Sequence, residues 1–265
     1  MGRNLFRKKN GLTLIELIIA LVLSSILIAA LYRVFISQQK IFMVQDQVSD
    51  IQQNVRIAIS QMTKKIRMAG YGGNILDIFN NINGFSDIVT PANDSITILF
   101  ADQVGVLKQN TLEGNNQLKV TNASIFNMDR KKYLCLNGLD NYFVNSITGD
   151  TITLTTPLRE GHPVNEAVYL VKAITYSIGL SSGKPALRRN ENTGGGAQPL
   201  AENMENLQFT YFDANGNLTM NPKDIQMIRV VVTVKTNLSD PEYKGGDGYR
   251  RRILSSYIKV RNIEL

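Results

Sequence analysis

Glu16 is the one formally charged side chain in an apolar run of 20 residues, 12–31, and is the fifth residue of that run. A carboxylate in a membrane-spanning segment costs roughly 2.5–3.5 kcal/mol at the helix centre, less toward an end, and such residues usually have a partner. Its position suggests one. A cut after Gly11 would create an α-amino group on Leu12, four residues before Glu16, and a cationic terminus there can pair with the carboxylate within one chain or between neighbours packed side by side.

The remaining candidates for chemistry are sparse. His162 is the only histidine and Cys135 the only cysteine, so nucleophile–base catalysis would require those two to meet. The neighbours of each read otherwise. Glu160-Gly161-His162-Pro163 reads as a solvated loop and Tyr133-Leu134-Cys135-Leu136 as a small buried apolar position. No enzyme activity is expected, and zinc lacks clustered ligands. A single cysteine forms no intramolecular disulfide and leaves the redox compartment unread. Asp213, Asn215 and Asn217 alternate as oxygen ligands do at the start of a calcium loop. Gly216 falls at the wrong place for one, however, and the twelfth position is Asp224 rather than glutamate. A tight Asn-Gly hairpin turn between Tyr211 and Leu218 accounts for the pattern better. Arg250-Arg251-Arg252 could contact phosphates, but alternation along a strand divides the three between two faces, which fits a solvated edge. Gly194-Gly195-Gly196 has neither the lysine nor the helix of a phosphate-binding loop and reads as a flexible connection.

The elements that must position Glu16 begin with a basic leader. Arg3, Arg7, Lys8 and Lys9 precede Gly11 with no acidic residue among them. Positive charge directly before a span predicts a cytoplasmic N-terminus, with everything after about residue 35 on the far side. The run itself is long enough to cross a hydrocarbon core of about 30 Å. It exceeds the 7–15 apolar residues of a secretory signal, and the small residues near Ala29 and Ala30 make a poor cleavage site, so the run is expected to stay with the mature chain. Lysine plus arginine outnumbers aspartate plus glutamate by 29 to 22. Without the four basic leader residues the balance is 25 to 22, so the basic character belongs largely to the leader and gives little support for a nucleic-acid partner.

Beyond the run, Ile41, Val44, Val48, Ile51, Val55, Ile59, Met62 and Ile66 form one stripe at spacings of three and four. No proline or glycine interrupts residues 12–69, so one helix of up to 58 residues, about 87 Å at about 1.5 Å per residue, is expected. Gly70-Tyr71-Gly72-Gly73 ends it, with Lys64, Lys65 and Arg67 in the closing turns. From about residue 85 the period falls to two. Strands are expected over 95–101, 117–121, 151–155, 167–177, 185–189, 207–212, 225–236 and 250–261, with 225–234 as a central strand. The fold class is α+β, a long N-terminal helix whose second half lies on a mainly antiparallel sheet.

Gly11-Leu12-Thr13-Leu14-Ile15-Glu16-Leu17-Ile18 resembles the class III signal of type IV prepilins and type II secretion pseudopilins. The resemblance implies a pilin-like fold, a cut after Gly11 by prepilin peptidase, methylation of the new N-terminus at Leu12, and assembly directed by Glu16. The family usually has phenylalanine where this chain has Leu12. Arg56, Met62, Lys65, Arg67-Met68-Ala69-Gly70-Tyr71, the segment from Glu205 to Asp213 and Val260-Arg261-Asn262 are similar, less specifically, to PilW-type minor pilins and more distantly to GspJ-type pseudopilins.

The domains expected are a leader, 1–11, a transmembrane and amphipathic spine, 12–69, and a β-rich head, 70–265. The expected function is that of a minor pilin incorporated into, or priming, a type IV pilus, without a cofactor. Its partners would be prepilin peptidase, major and minor pilins, the assembly machinery and the inner membrane. Its location would be a single-pass inner-membrane site and then the filament at the cell surface. The alternatives are a type II secretion pseudopilin and a signal-anchored extracytoplasmic binding module.

Overall fold

A 54-residue α-helix, α1 (Leu14–Arg67), opens the structure, a computed structural model that describes residues 13–240, 243 and 245–262. The chain divides into two units, Met1–Ser49 and Asp50–Leu265, and α1 starts in the first and ends in the second. Thr13 precedes the first helical residue, while Leu12, at which the helix was expected to start, lies outside the described residues.

In the first unit the apolar side chains of α1 are uncovered: Leu14, Leu17, Leu21, Leu27 and Leu31 are each more than half exposed. The helix is long and apolar enough there to cross a membrane. Within the apolar run the hydroxyls of Ser24 and Ser25 are satisfied locally, Ser24 donating to the Ala20 carbonyl and Ser25 to that of Val22, both at 2.7 Å. Such back-bonding lets a hydroxyl sit in a hydrocarbon environment without an orphaned donor.

In the second unit α1 buries Ile51, Val55, Ala58, Met62 and Ile66. The stripe is therefore shorter than expected: Ile41 is exposed and Ile59 half-buried, with Ala58 at the centre of the face instead. Residues 58 and 59 differ by about 100° around the axis, so only one of them can face the core squarely. The helix tightens at its end, Met68 and Ala69 donating to Lys65 and Ile66 three residues back. It stops at Gly70, whose φ is +80° and whose N–H donates to the Leu99 carbonyl at 2.9 Å. A Cβ on Gly70 would lie 2.3 Å from the Asn262 carbonyl oxygen, so the position requires glycine for space as well as for backbone angle.

Among the described residues twelve strands follow: β1 (Val89–Pro91), β2 (Ser95–Val106), β3 (Gln117–Lys119), β4 (Tyr133–Leu136), β5 (Asp140–Thr148), β6 (Thr151–Leu154), β7 (Ala167–Ser181), β8 (Lys184–Asn190), β9 (Ala197–Glu202), β10 (Met204–Phe212), β11 (Met227–Lys235) and β12 (Arg251–Lys259), with a short helix α2 (Ile75–Phe79) before them. They form two antiparallel sheets where the sequence suggested one. A nine-stranded sheet runs β1-β2-β7-β4-β5-β6-β3, with β8 and β9 branching from β7, and a three-stranded sheet runs β10-β11-β12. The branch arises because β7 is 15 residues long: residues 168–170 pair with β4 and residues 175–181 with β8.

Period-two alternation along β2 and β7 separates two cores. Ile96, Ile98, Phe100, Ile174 and Tyr176 join the face that packs on α1, together with Phe209, Tyr211, Ile228, Val230, Val232 and Val234 of the smaller sheet. Leu99, Ala101, Val171 and Ala173 turn the other way and pack with Ile75 and Phe79 of α2. A third core, around Leu118, Tyr142, Ile152 and Leu170, fills the region of β3 to β6. The strand expected to be central, β11, is the middle of its sheet, but its burial alternates strictly, one face buried and the other half-buried. Four strands had not been anticipated. All four residues of β4 are buried, leaving no alternation to read, β5 carries a buried Asn141, β1 has three residues, and β9 is a half-exposed strand containing Pro199 that pairs only with β8.

Candidate functional site

Thr13 and Glu16 form a reciprocal cap on α1. The Thr13 carbonyl accepts the first helical bond from the Leu17 N–H at 3.3 Å, which makes Thr13 the N-cap residue. The Glu16 N–H donates to Thr13 Oγ1 at 3.3 Å, and the Thr13 N–H donates back to Glu16 Oε2 at 2.9 Å. The Thr13 hydroxyl also donates to Glu16 Oε2 at 2.9 Å. This is the capping box, Thr-x-x-Glu, in which two of the helix's free N–H groups are satisfied at once. Carboxylate charge in the first turn also faces the positive end of the helix dipole. Glu16 therefore has a partner inside its own chain, and the Thr-x-x-Glu spacing carries it. Both bonds fall on Oε2, and Oε1 accepts none among the described residues. Gly11 and Leu12, the expected cut and methylation positions, lie outside the described residues.

Residues 6–32 match the prokaryotic N-terminal methylation motif. The matched segment contains Gly11, Leu12, the Thr13–Glu16 box and the whole of the apolar run. The motif thus spans the turn in which the carboxylate is held and the exposed helix that follows it. No curated protein sequence matches the chain. Among solved structures it is similar to a type IV-like pilin from Thermus thermophilus, with 10% identity over 80% of this chain and 97% of that one, at a TM-score of 0.37.

The other sequence candidates separate. Cys135 is fully buried with its thiol against the carbonyls of Gly72 and Leu136 at 3.7 Å, and burial, aided by the charge of Asp140, pushes the thiol up to about 12. Among the described residues no hydrogen bond joins it to His162. His162 corrects the expectation of a solvated loop residue: it is 2% exposed, and its Nδ1 lies 3.0 Å from Glu166 Oε2. The expectation that no metal ligands cluster is corrected too, since one ligand atom each of Asp140, Glu160 and His162 fall within 4.8 Å of one another.

Asp213 has no free donor set. Its Oδ1 accepts from the N–H groups of Asn215 and Asn217 at 2.9 and 2.8 Å, its Oδ2 from the Asn217 amide at 3.1 Å, and Gly216 takes φ +82°. The turn closes on itself, with Phe212 bridged to Leu218, and these bonds, led by that from the Asn217 N–H, hold the Asp213 carboxyl below its ordinary value. Arg250 is bidentate on Asp240 at 2.9 and 2.7 Å, and Arg251 contacts Glu205 and Asp247, so two of the three arginines already face carboxylates beside the edge strand β12. Gly194-Gly195-Gly196 forms the connection between β8 and β9.

Proposed function

We propose that this chain is a minor pilin, a structural subunit of a type IV pilus assembly system. It would be synthesised with the leader 1–11, retained in the inner membrane by the exposed apolar part of α1, cut after Gly11 by prepilin peptidase and methylated on Leu12. The spine 12–69 and the head 70–265 then act as one subunit, the spine packing with those of other pilins as the assembly machinery draws them from the bilayer.

The observation that carries this reading is the Thr13–Glu16 box at the head of a helix whose apolar side chains from Leu14 to Leu31 are exposed. Before assembly, Thr13 satisfies the carboxylate and lowers its cost at the membrane. In the filament, Oε1 is the acceptor offered to the Leu12 ammonium of a neighbouring subunit. A charged pair in a hydrocarbon setting is worth more than the same pair in water, which gives register to helices that otherwise slide on apolar surfaces.

The test is Glu16→Leu. Cleavage and membrane insertion should proceed, and the subunit should be missing from sheared filaments. Normal incorporation of the variant would remove Glu16 from the mechanism.

A further inference from the structure

Three side chains that the pilin reading leaves unused meet at one place in the head. Asp140 is the first residue of β5 and faces Leu136 across the β4–β5 hairpin. Glu160 and His162 belong to the connection between β6 and β7. An oxygen of each carboxylate and a ring nitrogen of His162 all lie within 4.8 Å of one another.

The histidine is built for coordination. Its side chain is 2% exposed, and Nε2 has no hydrogen-bond partner among the described residues. On the opposite side of the ring, Nδ1 faces Glu166 Oε2 at 3.0 Å. An ionised carboxylate only accepts, so Nδ1 carries a proton, and in the neutral imidazole that leaves the lone pair on Nε2. A carboxylate behind the distal nitrogen is the usual support of a metal-bound imidazole, fixing tautomer and ring orientation while raising the basicity of the ligating atom.

Its backbone is fixed as well. The His162 N–H reaches Thr111 Oγ1 at 3.1 Å and the Thr111 carbonyl at 3.2 Å, and the Thr111 N–H donates to the His162 carbonyl at 2.8 Å. Thr111 itself is buried. On the β5 side the residue after Asp140, Asn141, is tied to the Gly72 carbonyl at 2.7 Å. Glu160 is exposed and is the one donor free to swing.

We propose that Asp140, Glu160 and His162 Nε2 form a site for a divalent transition-metal cation of the zinc class. One imidazole with two carboxylates suits a borderline ion, whereas calcium and magnesium take oxygen donors alone. At metal–ligand lengths of about 2.0–2.1 Å a tetrahedral ion needs its donors about 3.3 Å apart. Rotation of Glu160 supplies the contraction, and a water completes the four positions. The ion ties the start of β5 to the β6–β7 connection, so the site is a staple of the head, independent of how the N-terminus is processed.

The test uses the full chain, untagged because His162 is its only histidine, chelator-treated in detergent micelles and titrated with zinc chloride by calorimetry. One zinc per chain is expected, with a rise in melting temperature. Glu160→Gln, at an exposed position, should keep its circular dichroism and lose at least tenfold in affinity. Glu166→Gln, at the carboxylate that faces Nδ1 rather than the ligating nitrogen, should lose about 10–100-fold. Absence of zinc uptake by the wild type, equal uptake by Glu160→Gln, or binding of calcium in preference to zinc would overturn the assignment.

Discussion

Thr13 and Glu16 satisfy each other's free backbone N–H groups, the Thr13 hydroxyl accepting from the N–H of Glu16 and the Glu16 carboxylate accepting from that of Thr13. A charge that looks misplaced in an apolar run is thereby the closing half of a helix cap. Under the function proposed above, the carboxylate that caps α1 would offer its second oxygen to a cation brought by a neighbouring subunit.

The cap predicts a hierarchy among substitutions at Thr13. Thr13→Ala removes the hydroxyl and should weaken the first turn by about 0.5–2 kcal/mol, while Thr13→Ser keeps the acceptor and should behave as wild type. Hydrogen exchange of the amides of residues 14–17 in micelles checks this: faster exchange in the alanine variant alone is expected.

Met62 lies on the buried face of α1 and is fully enclosed. Met62→Ala should destabilise the head by about 2–5 kcal/mol. Ile57 is on the same helix but half exposed, so Ile57→Ala should change stability by no more than about 0.5 kcal/mol. Urea denaturation of the two variants side by side provides the comparison.

Asp102 of β2 receives Lys65 of α1 at 2.7 Å and Lys172 of β7 at 2.8 Å. Burial opposes its ionisation, but the bonds from Lys172 and Lys65 outweigh that and hold the carboxyl below its ordinary value. A lowered folded-state value means stabilisation that is present above the unfolded carboxyl's range near 3.8 and is lost as pH falls through the folded value. Asp102→Asn should therefore cost roughly 1–2 kcal/mol at neutral pH, discounted for its partial exposure. Melting temperatures across an acid titration should show the gap between wild type and variant closing as pH drops.

Cys135 is held as a neutral thiol by burial first and by the charge of Asp140 second, with its value near 12. Thiolate is the reactive form. A thiol reagent at pH 8 should leave the folded chain essentially unlabelled and label one site fully in urea; rapid labelling of the folded chain would place Cys135 outside the core described above.

What the sequence made legible was what repeats locally. The period of α1 from Ile51 to Ile66 and the alternation of Ile228, Val230, Val232 and Val234 both arise from one element facing one core. The β4–β5 hairpin escaped because Tyr133, Leu134, Cys135 and Leu136 are buried on both faces, so no period marks them. His162 escaped for a different reason. The solvated appearance of Glu160-Gly161-His162-Pro163 is local, whereas its burial depends on Thr111, Glu166 and Asp140, which only the fold brings near. Glu16 lies between these cases: its charge points to a cation such as an amine on Leu12, within the chain or from a neighbour, while its capping partner is the threonine three residues before it.

The mass of the mature chain extracted from membranes is the decisive measurement. Cleavage by prepilin peptidase gives a chain beginning at Leu12 and carrying one methyl group, with Thr13 and Glu16 retained at its start. A chain that still begins at Met1, or one cut near Ala29 and so lacking Glu16, would contradict it.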